Sequence, residues 1–137
     1  MPVTPYLFLD GRCEEAIEFY KKTLGAEVSV MMRFKEGPPE HKPTPGTENK
    51  IMHACITING APVMLSDGRV QNKPKFEGFS LSLDAKEASD GEQMFNALSQ
   101  GGQVQMPLAE SFFAKSFGMV ADKFGVSWMI IAGPKNP

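Results

Sequence analysis

Histidine is the side chain best suited to proton transfer near neutral pH, and this chain has two. His41 lies in residues 36–49, where four prolines and two glycines exclude regular structure and predict a long exposed loop or a lid. His53 lies in residues 51–58, whose alternation predicts a strand with His53 on the face opposite Ile56, toward a concave side. His53 is therefore a candidate general base or metal ligand, and a hydrogen-bonded structural histidine is the alternative.

Five further side chains are candidates for a ligand site. Ser80 would face a cavity from a strand, although no base stands beside it in sequence to support nucleophilic catalysis. Trp128, Phe112 and Phe113 would line or close an apolar pocket, with core packing as the alternative. Arg33 would hold an anionic ligand or form an exposed ion pair. Together with His53 they form the predicted ligand-binding set, while the catalytic residues are unknown and no metal ligand is predicted.

The elements that position these residues occur twice along the chain. Residues 9–25 and 83–102 each begin with Leu-Asp and continue as an amphipathic helix that ends at glycine. Residues 60–65 and 125–130 also match, and paired modules commonly enclose a shared ligand surface. The predicted order in each half is β-α-β-β-β. The predicted strands are residues 5–9, 27–34, 51–58, 62–66, 79–83, 103–106, 119–122 and 126–132, with an aromatic loop at 109–118 and turn-capping carboxylates at Asp67 and Asp122.

Composition excludes several classes of protein. The chain has 137 residues and a net charge of −2, so a single domain is expected and scattered lysines give no support for nucleic-acid binding. It has no apolar run long enough to span a membrane and no signal-peptide pattern, and Cys13 and Cys55 are expected to be reduced thiols of a cytoplasmic protein. The nine methionines are expected to fill the core.

Several segments carry a family resemblance that runs nearly from end to end. They are residues 5–20, 24–27, 50–54, 64–67, 78–83 and 117–130, the last being the most distinctive. The chain resembles the PhnB-like branch of the vicinal oxygen chelate superfamily, which also includes glyoxalase I, bleomycin-resistance proteins and extradiol dioxygenases. The resemblance implies an α+β fold in which two βαβββ modules form curled mixed sheets around a half-barrel. It also implies a homodimer, with module one at residues 4–66, a linker at 67–78 and module two at 79–132.

The resemblance also identifies where metal-using relatives hold their metal. Such members place His, Gln or Glu on the first and last strand of each module, and the matching positions here are Tyr6, Leu65, Ser80 and Ile130. Neither these residues nor their immediate neighbours in sequence are His, Glu or Gln, so the usual divalent-metal site is expected to be absent.

The resulting functional hypothesis is a metal-independent small-molecule binding protein with a mostly apolar cavity and no cofactor. The alternative is a lyase, isomerase or dioxygenase that uses a divalent metal at a non-standard site, for instance on His53. Whether the protein is an enzyme stays open, but a typical glyoxalase I is not expected. A methyltransferase is not expected either, although PhnB-like proteins often carry the name 3-demethylubiquinone 3-methyltransferase, because no glycine-rich turn after a strand suits a nucleotide-derived methyl donor.

Overall fold

The structure is a computed structural model that describes residues 3–68 and 75–135. Contacts along the chain group into two compact units, Met1–Pro74 and Lys75–Pro137, each with its own sheet and its own α-helix. Residues 69–74, which belong to the predicted linker, lie outside the described residues. No helix within the described ranges is long and apolar enough to cross a membrane.

Unit 1 contains a four-stranded mixed sheet in the order β1-β4-β3-β2. Strand β1 runs parallel to β4, and the other neighbours are antiparallel. Its elements are β1 (Tyr6–Phe8), α1 (Cys13–Leu24), β2 (Glu27–Arg33), a 3-10 turn (Phe34–Glu36), β3 (Ile51–Ile58) and β4 (Ala61–Ser66).

Helix α1 shows why the sequence pattern was informative. Its buried side chains recur at three- and four-residue steps, so one face of the helix packs against β3. Gly25 ends the helix in the left-handed conformation, with φ 67°, and its N–H donates to the Tyr20 carbonyl. Glutamates in the first turn and lysines in the last turn complement the helix dipole.

Unit 2 repeats the same arrangement, with the sheet order β5-β8-β7-β6. Strand β5 runs parallel to β8, as β1 does to β4. The elements are β5 (Leu81–Ala85), α2 (Ala88–Leu98), β6 (Gln103–Ala109), β7 (Ala114–Ala121) and β8 (Ser127–Pro134). The predicted α+β class with two βαβββ modules is therefore confirmed.

The segment predicted as an aromatic loop, residues 109–118, is the main error in the predicted elements. Strand β6 continues to Ala109 and β7 begins at Ala114, so only a short turn separates them. The hydroxyl of Ser111 holds this turn by accepting hydrogen bonds from the N–H groups of Phe113 and Ala114. Of the aromatic residues that suggested a loop, Phe112 and Phe113 belong to the turn and Phe117 belongs to β7.

The prediction that methionines fill the core is also wrong. None of the methionines among the described residues is buried, and Met31, Met32 and Met106 are more than a third exposed. In unit 1, Met32 pairs with His53 and Met64 with Cys55, on the sheet face opposite α1. The cores instead use the aliphatic and aromatic side chains between each sheet and its helix.

Candidate functional site

His53 is paired with Tyr6 on the face of the unit 1 sheet that is opposite α1. The Tyr6 hydroxyl lies 2.9 Å from Nδ1 of His53, and the two rings stack with centroids 5.6 Å apart. Phe8 continues the row, with its ring centroid 5.0 Å from that of Tyr6. Because β4 lies between β1 and β3, the Tyr6 side chain reaches across an entire strand to make this contact.

The hydrogen bond determines what His53 offers to a ligand. A neutral imidazole accepts at one ring nitrogen and donates from the other, and a phenol is the better donor of the two groups. When Tyr6 donates to Nδ1, the proton of neutral His53 resides on Nε2. This supports the alternative of a hydrogen-bonded histidine, while leaving Nε2 as a donor for a polar ligand atom.

Arg33 forms an ion pair and does not present a free cation. Its guanidinium donates to both carboxylate oxygens of Glu14, at 3.0 and 2.6 Å, and to the Asn49 carbonyl at 2.6 Å. The hydrogen bonds from Arg33 hold the pKa of the Glu14 carboxyl below its usual value. Of the two readings offered by the sequence, the structure shows the ion pair.

Asp67 holds three parts of unit 1 together from a fully buried position. One carboxylate oxygen accepts from the N–H groups of Gly11 and Cys13 at the start of α1, and the other accepts from Ile51 at the start of β3. Burial raises the pKa of the neighbouring Cys13 thiol, which is therefore an unreactive core group. The predicted capping role of Asp67 is confirmed, and it is structural.

Trp128 belongs to the core of unit 2. The indole is 2% exposed, and its Nε1–H donates to Asp122 at 2.9 Å. The other carboxylate oxygen of Asp122 accepts from the N–H groups of Phe124 and Val126 and so closes the turn before β8. The prediction that Trp128 lines a pocket is corrected, because a buried indole needs a hydrogen-bond partner and Asp122 provides it.

Ser80 joins a short chain of polar side chains. Its Oγ lies 2.7 Å from that of Ser127, which in turn donates to the side-chain amide oxygen Oε1 of Gln105 at 2.9 Å. Since Ser127 uses its proton on Gln105, Ser80 donates to Ser127. None of these partners is a base strong enough to activate a serine nucleophile, so the arrangement gives no support for nucleophilic catalysis.

Phe112 and Phe113 are neighbours with different surroundings. Their rings are in edge contact at 5.1 Å, but Phe112 is 92% exposed. Phe113 lines a cavity of about 510 Å³ in unit 2. The other lining residues are Asp84, Ala85, Lys86, Ile131 and Pro134. Sequence reasoning did not include Asp84, although the internal repeat matched it to Asp10.

The loop at residues 36–49 encloses a second cavity, of about 590 Å³, in unit 1. Its lining includes His41 and Lys42 from the loop, together with Phe34 and Met52 from the flanking elements. The sequence predicted an exposed loop or a lid, and the loop contributes residues to the lining of this cavity.

The positions matched to the familial metal site lie on or beside the first and last strand of each unit. Leu65 and Ile130 are fully buried in the cores. On the other face of each sheet, the neighbouring side chains of the same strands are Met64, which pairs with Tyr6, and Met129, which pairs with Ser82. None of these side chains is a usual ligand for a divalent metal. In the described part of the chain, no three His, Cys, Asp or Glu residues stand close enough together to hold an ion.

The predicted site residues are divided between the two units. His53 and Arg33 belong to unit 1 and have separate partners, Tyr6 and Glu14. The other four predicted residues, Ser80, Phe112, Phe113 and Trp128, belong to unit 2. Among the contacts of the described residues, only Phe112 and Phe113 of this set contact each other.

Two βαβββ modules, each with a four-stranded mixed sheet and one helix, define the glyoxalase/bleomycin-resistance class of fold. A solved domain of that class from Frankia, described as a glyoxylase/bleomycin resistance protein/dioxygenase domain, is similar in fold. It has a TM-score of 0.62, 17% identity, and coverage of 100% of this chain and 95% of that one.

The chain belongs to the family described as 3-demethylubiquinone-9 3-methyltransferase, whose model matches residues 1–131, and it is a PhnB-like member of the vicinal oxygen chelate superfamily. It is 37% identical to protein YjdN of Escherichia coli, over 100% of this chain and 99% of that protein.

Two solved structures are also similar over most of the chain. The protein PA1353 of Pseudomonas aeruginosa has a TM-score of 0.86 and 38% identity, covering 96% of this chain and 97% of that one. A Bacillus cereus protein described as a putative 3-demethylubiquinone-9 3-methyltransferase, PhnB protein, has a TM-score of 0.80 and 31% identity, covering 96% and 99%.

Proposed function

We propose that this protein binds a small molecule without the help of a metal, and that the cavity of unit 2 is the binding site. The observation that carries the proposal is the cavity of about 510 Å³ beside Phe113. Sites for small molecules are usually concave, mostly apolar and about 300–1,000 Å³ in volume. This cavity falls within that range and is formed by strand ends and a turn, where ligand contacts are common.

The chemistry of the lining indicates the kind of ligand. Phe113, Ile131 and Pro134 supply apolar surface, and Asp84 and Lys86 supply one charge of each sign. An aromatic or aliphatic body would pack on the apolar surface while a polar group meets one of the two charges. The ligand class that fits is therefore a compact apolar molecule with a polar end.

The methionines support an adaptable binding surface. In unit 2, Met106, Met119 and Met129 pair in register across three neighbouring strands, on the sheet face opposite α2. Unbranched thioether side chains change conformation readily and accommodate different apolar partners. Three methionines in a row on a sheet face suit a protein that binds apolar molecules of varied shape.

A homodimer and a cytoplasmic location are part of the same proposal. Strand β2 lies at a sheet edge and exposes Val28, Val30 and Met31 by about 40% each, which is apolar surface that a second copy would cover. The free cysteines Cys13 and Cys55 are compatible with a reducing compartment. Size-exclusion chromatography with light scattering tests the dimer, and fractionation of cells tests the location.

The methyltransferase in the family's description is not an established activity of this chain. The proposal of metal-independent binding competes instead with a divalent metal held by His53 at a non-standard site. Metal analysis of freshly purified protein distinguishes the two. Stoichiometric Mn, Fe, Ni or Zn that is lost in His53→Ala would contradict metal-independent binding.

The binding site is tested with the fluorescent probe 1-anilinonaphthalene-8-sulfonate, which joins an apolar body to one anionic group. Phe113→Ala should weaken saturable binding about tenfold, because a ring of the cavity wall is removed. Phe112→Ala is the matched control, since it deletes the adjacent exposed ring outside the cavity lining, and should leave the affinity unchanged. Equal effects of both variants, or no saturable binding to folded wild type, would overturn the proposal.

A further inference from the structure

The loop cavity of unit 1 has a lining that differs in chemistry from that of unit 2. It is lined largely by residues of the segment 36–49, and its volume is about 590 Å³. The lining residues are Phe34, His41, Lys42, Pro43, Thr44, Thr47, Met52 and Gly68. Nothing in the proposed function uses this cavity.

Backbone hydrogen bonds hold the two ends of the loop together. The N–H of Phe34 donates to the Lys50 carbonyl, and that of Lys35 donates to the Glu48 carbonyl. Inside the loop, both the N–H and the hydroxyl of Thr47 donate to the Thr44 carbonyl. These contacts give the cavity wall a defined backbone path despite its four prolines.

The charges around the cavity favour an anion. Lys42 and His41 line it, and none of the lining residues in the described part of the chain is acidic. The segment 36–49 carries three carboxylates. Glu36 accepts from the N–H of Arg33, Glu48 accepts from that of Gly46, and Glu40 is not among the lining residues. Within the described residues, the side chains of His41 and Lys42 make no hydrogen bond or ion pair, so their N–H groups are available to a ligand.

The remaining lining sets the size and polarity of the ligand. Phe34, Pro43 and Met52 contribute apolar side chains to the lining, and Thr44 contributes a hydroxyl. A cation, an imidazole and a hydroxyl together are typical partners of carboxylate and phosphate oxygens. An adjoining apolar wall suits a short hydrocarbon portion of the same molecule.

We propose that the loop cavity is a binding site for the oxyanion group of a small organic acid or phosphate ester, with Lys42 as its main partner and His41 and Thr44 as further donors. This site lies in a different unit from the Phe113 cavity and does not depend on ligand binding there. Variants of either cavity therefore test the two proposals separately.

The two histidines of the chain provide a direct readout, because the C2–H protons of His41 and His53 give separate NMR signals that His41→Gln assigns. The probes are sodium phosphate and sodium butanoate, added at fixed pH and fixed ionic strength with sodium chloride as the balancing salt. Saturable movement of the His41 signal, with the His53 signal unmoved, is the expected result. The probe that binds more tightly identifies whether phosphate or carboxylate is the preferred group.

Lys42→Gln should weaken the binding about tenfold, because a charge-assisted hydrogen bond is lost. Lys35→Gln is the matched control, since it removes an equal charge from the adjoining 3-10 turn at a residue that does not line the cavity. The control should bind as wild type does. Neither probe binding saturably, or equal weakening by the two variants, would overturn the proposal.

Discussion

The hydroxyl of Tyr6 and Nδ1 of His53 are 2.9 Å apart, although β4 separates their strands. The Tyr6 side chain therefore connects the edge strand β1 directly to β3, in addition to the backbone pairing through β4. It also fixes which nitrogen of His53 faces Tyr6 and which remains for other partners.

Tyr6→Phe should remove the preference of neutral His53 for the tautomer with its proton on Nε2. In wild type, neutral His53 should carry its proton mainly on Nε2, whereas the variant should show a mixture of both tautomers, because the donor to Nδ1 is gone. Imidazole ¹⁵N chemical shifts measure the two forms. The His41 shifts should not change, and an unaltered His53 tautomer in Tyr6→Phe would contradict the assigned hydrogen bond.

Asp67→Ala should be strongly destabilising. Removing the carboxylate leaves two buried backbone N–H groups and one partly buried one without their acceptor, at a cost of about 3 kcal/mol or more in the free energy of unfolding. Asp67→Asn should also destabilise, because its NH₂ group would face one of these donors. Urea unfolding measures both variants against Glu92→Ala, an exposed helix position whose effect should be near zero.

Gly91→Ala should destabilise unit 2, even though alanine favours a helix. A Cβ at this position of α2 would lie 2.5 Å from the Cβ of Ala132, which is too close without a shift of the helix. The clash should outweigh the helix propensity of about 1 kcal/mol. Ala132→Gly in the same chain should recover part of the loss, and strictly additive free energies of unfolding would exclude the contact.

The Glu14–Arg33 ion pair should make a pH-dependent contribution to stability. The pKa of Glu14 is lower in the folded state than in the unfolded chain, so the contribution is present above the unfolded pKa and is lost as the pH falls through the folded one. Glu14→Gln should therefore lower the urea midpoint near about pH 7, and this effect should diminish as the pH falls through the folded-state pKa of Glu14. Glu92→Gln, which changes an exposed carboxylate without a described partner, should show no such difference.

The elements that the sequence predicts best are those whose local pattern agrees with their environment. Helix α1 has one apolar face, acidic and basic ends and a terminal glycine, and it ends at the predicted Gly25. Strand β3 also matches at both ends, because its side chains alternate between core and surface. Strand β7 begins five residues before the predicted strand at 119–122. The sequence did not indicate this, because the aromatic segment that contains Phe117 shows no clear alternation of apolar and polar side chains.

Site residues were harder to predict, because their partners come from distant parts of the chain. The face that carries His53 follows from alternation, but its bond to Tyr6 depends on how β1, β4 and β3 align. The burial of Trp128 depends on Asp122, and the pairing of Arg33 depends on where α1 places Glu14. The loop cavity has no sequence signal, because prolines and glycines indicate only that regular structure is absent.

The location of the methionines has a consequence for oxidative damage. Met32 and Met106 lie at the surface, so peroxide reaches their sulfur atoms without prior unfolding. Sulfoxide formation would turn soft apolar sheet surface into polar surface while the aliphatic cores stay intact. Oxidation should therefore change the polarity of the sheet surface before it affects the cores, and methionine sulfoxide reductases would restore the original surface.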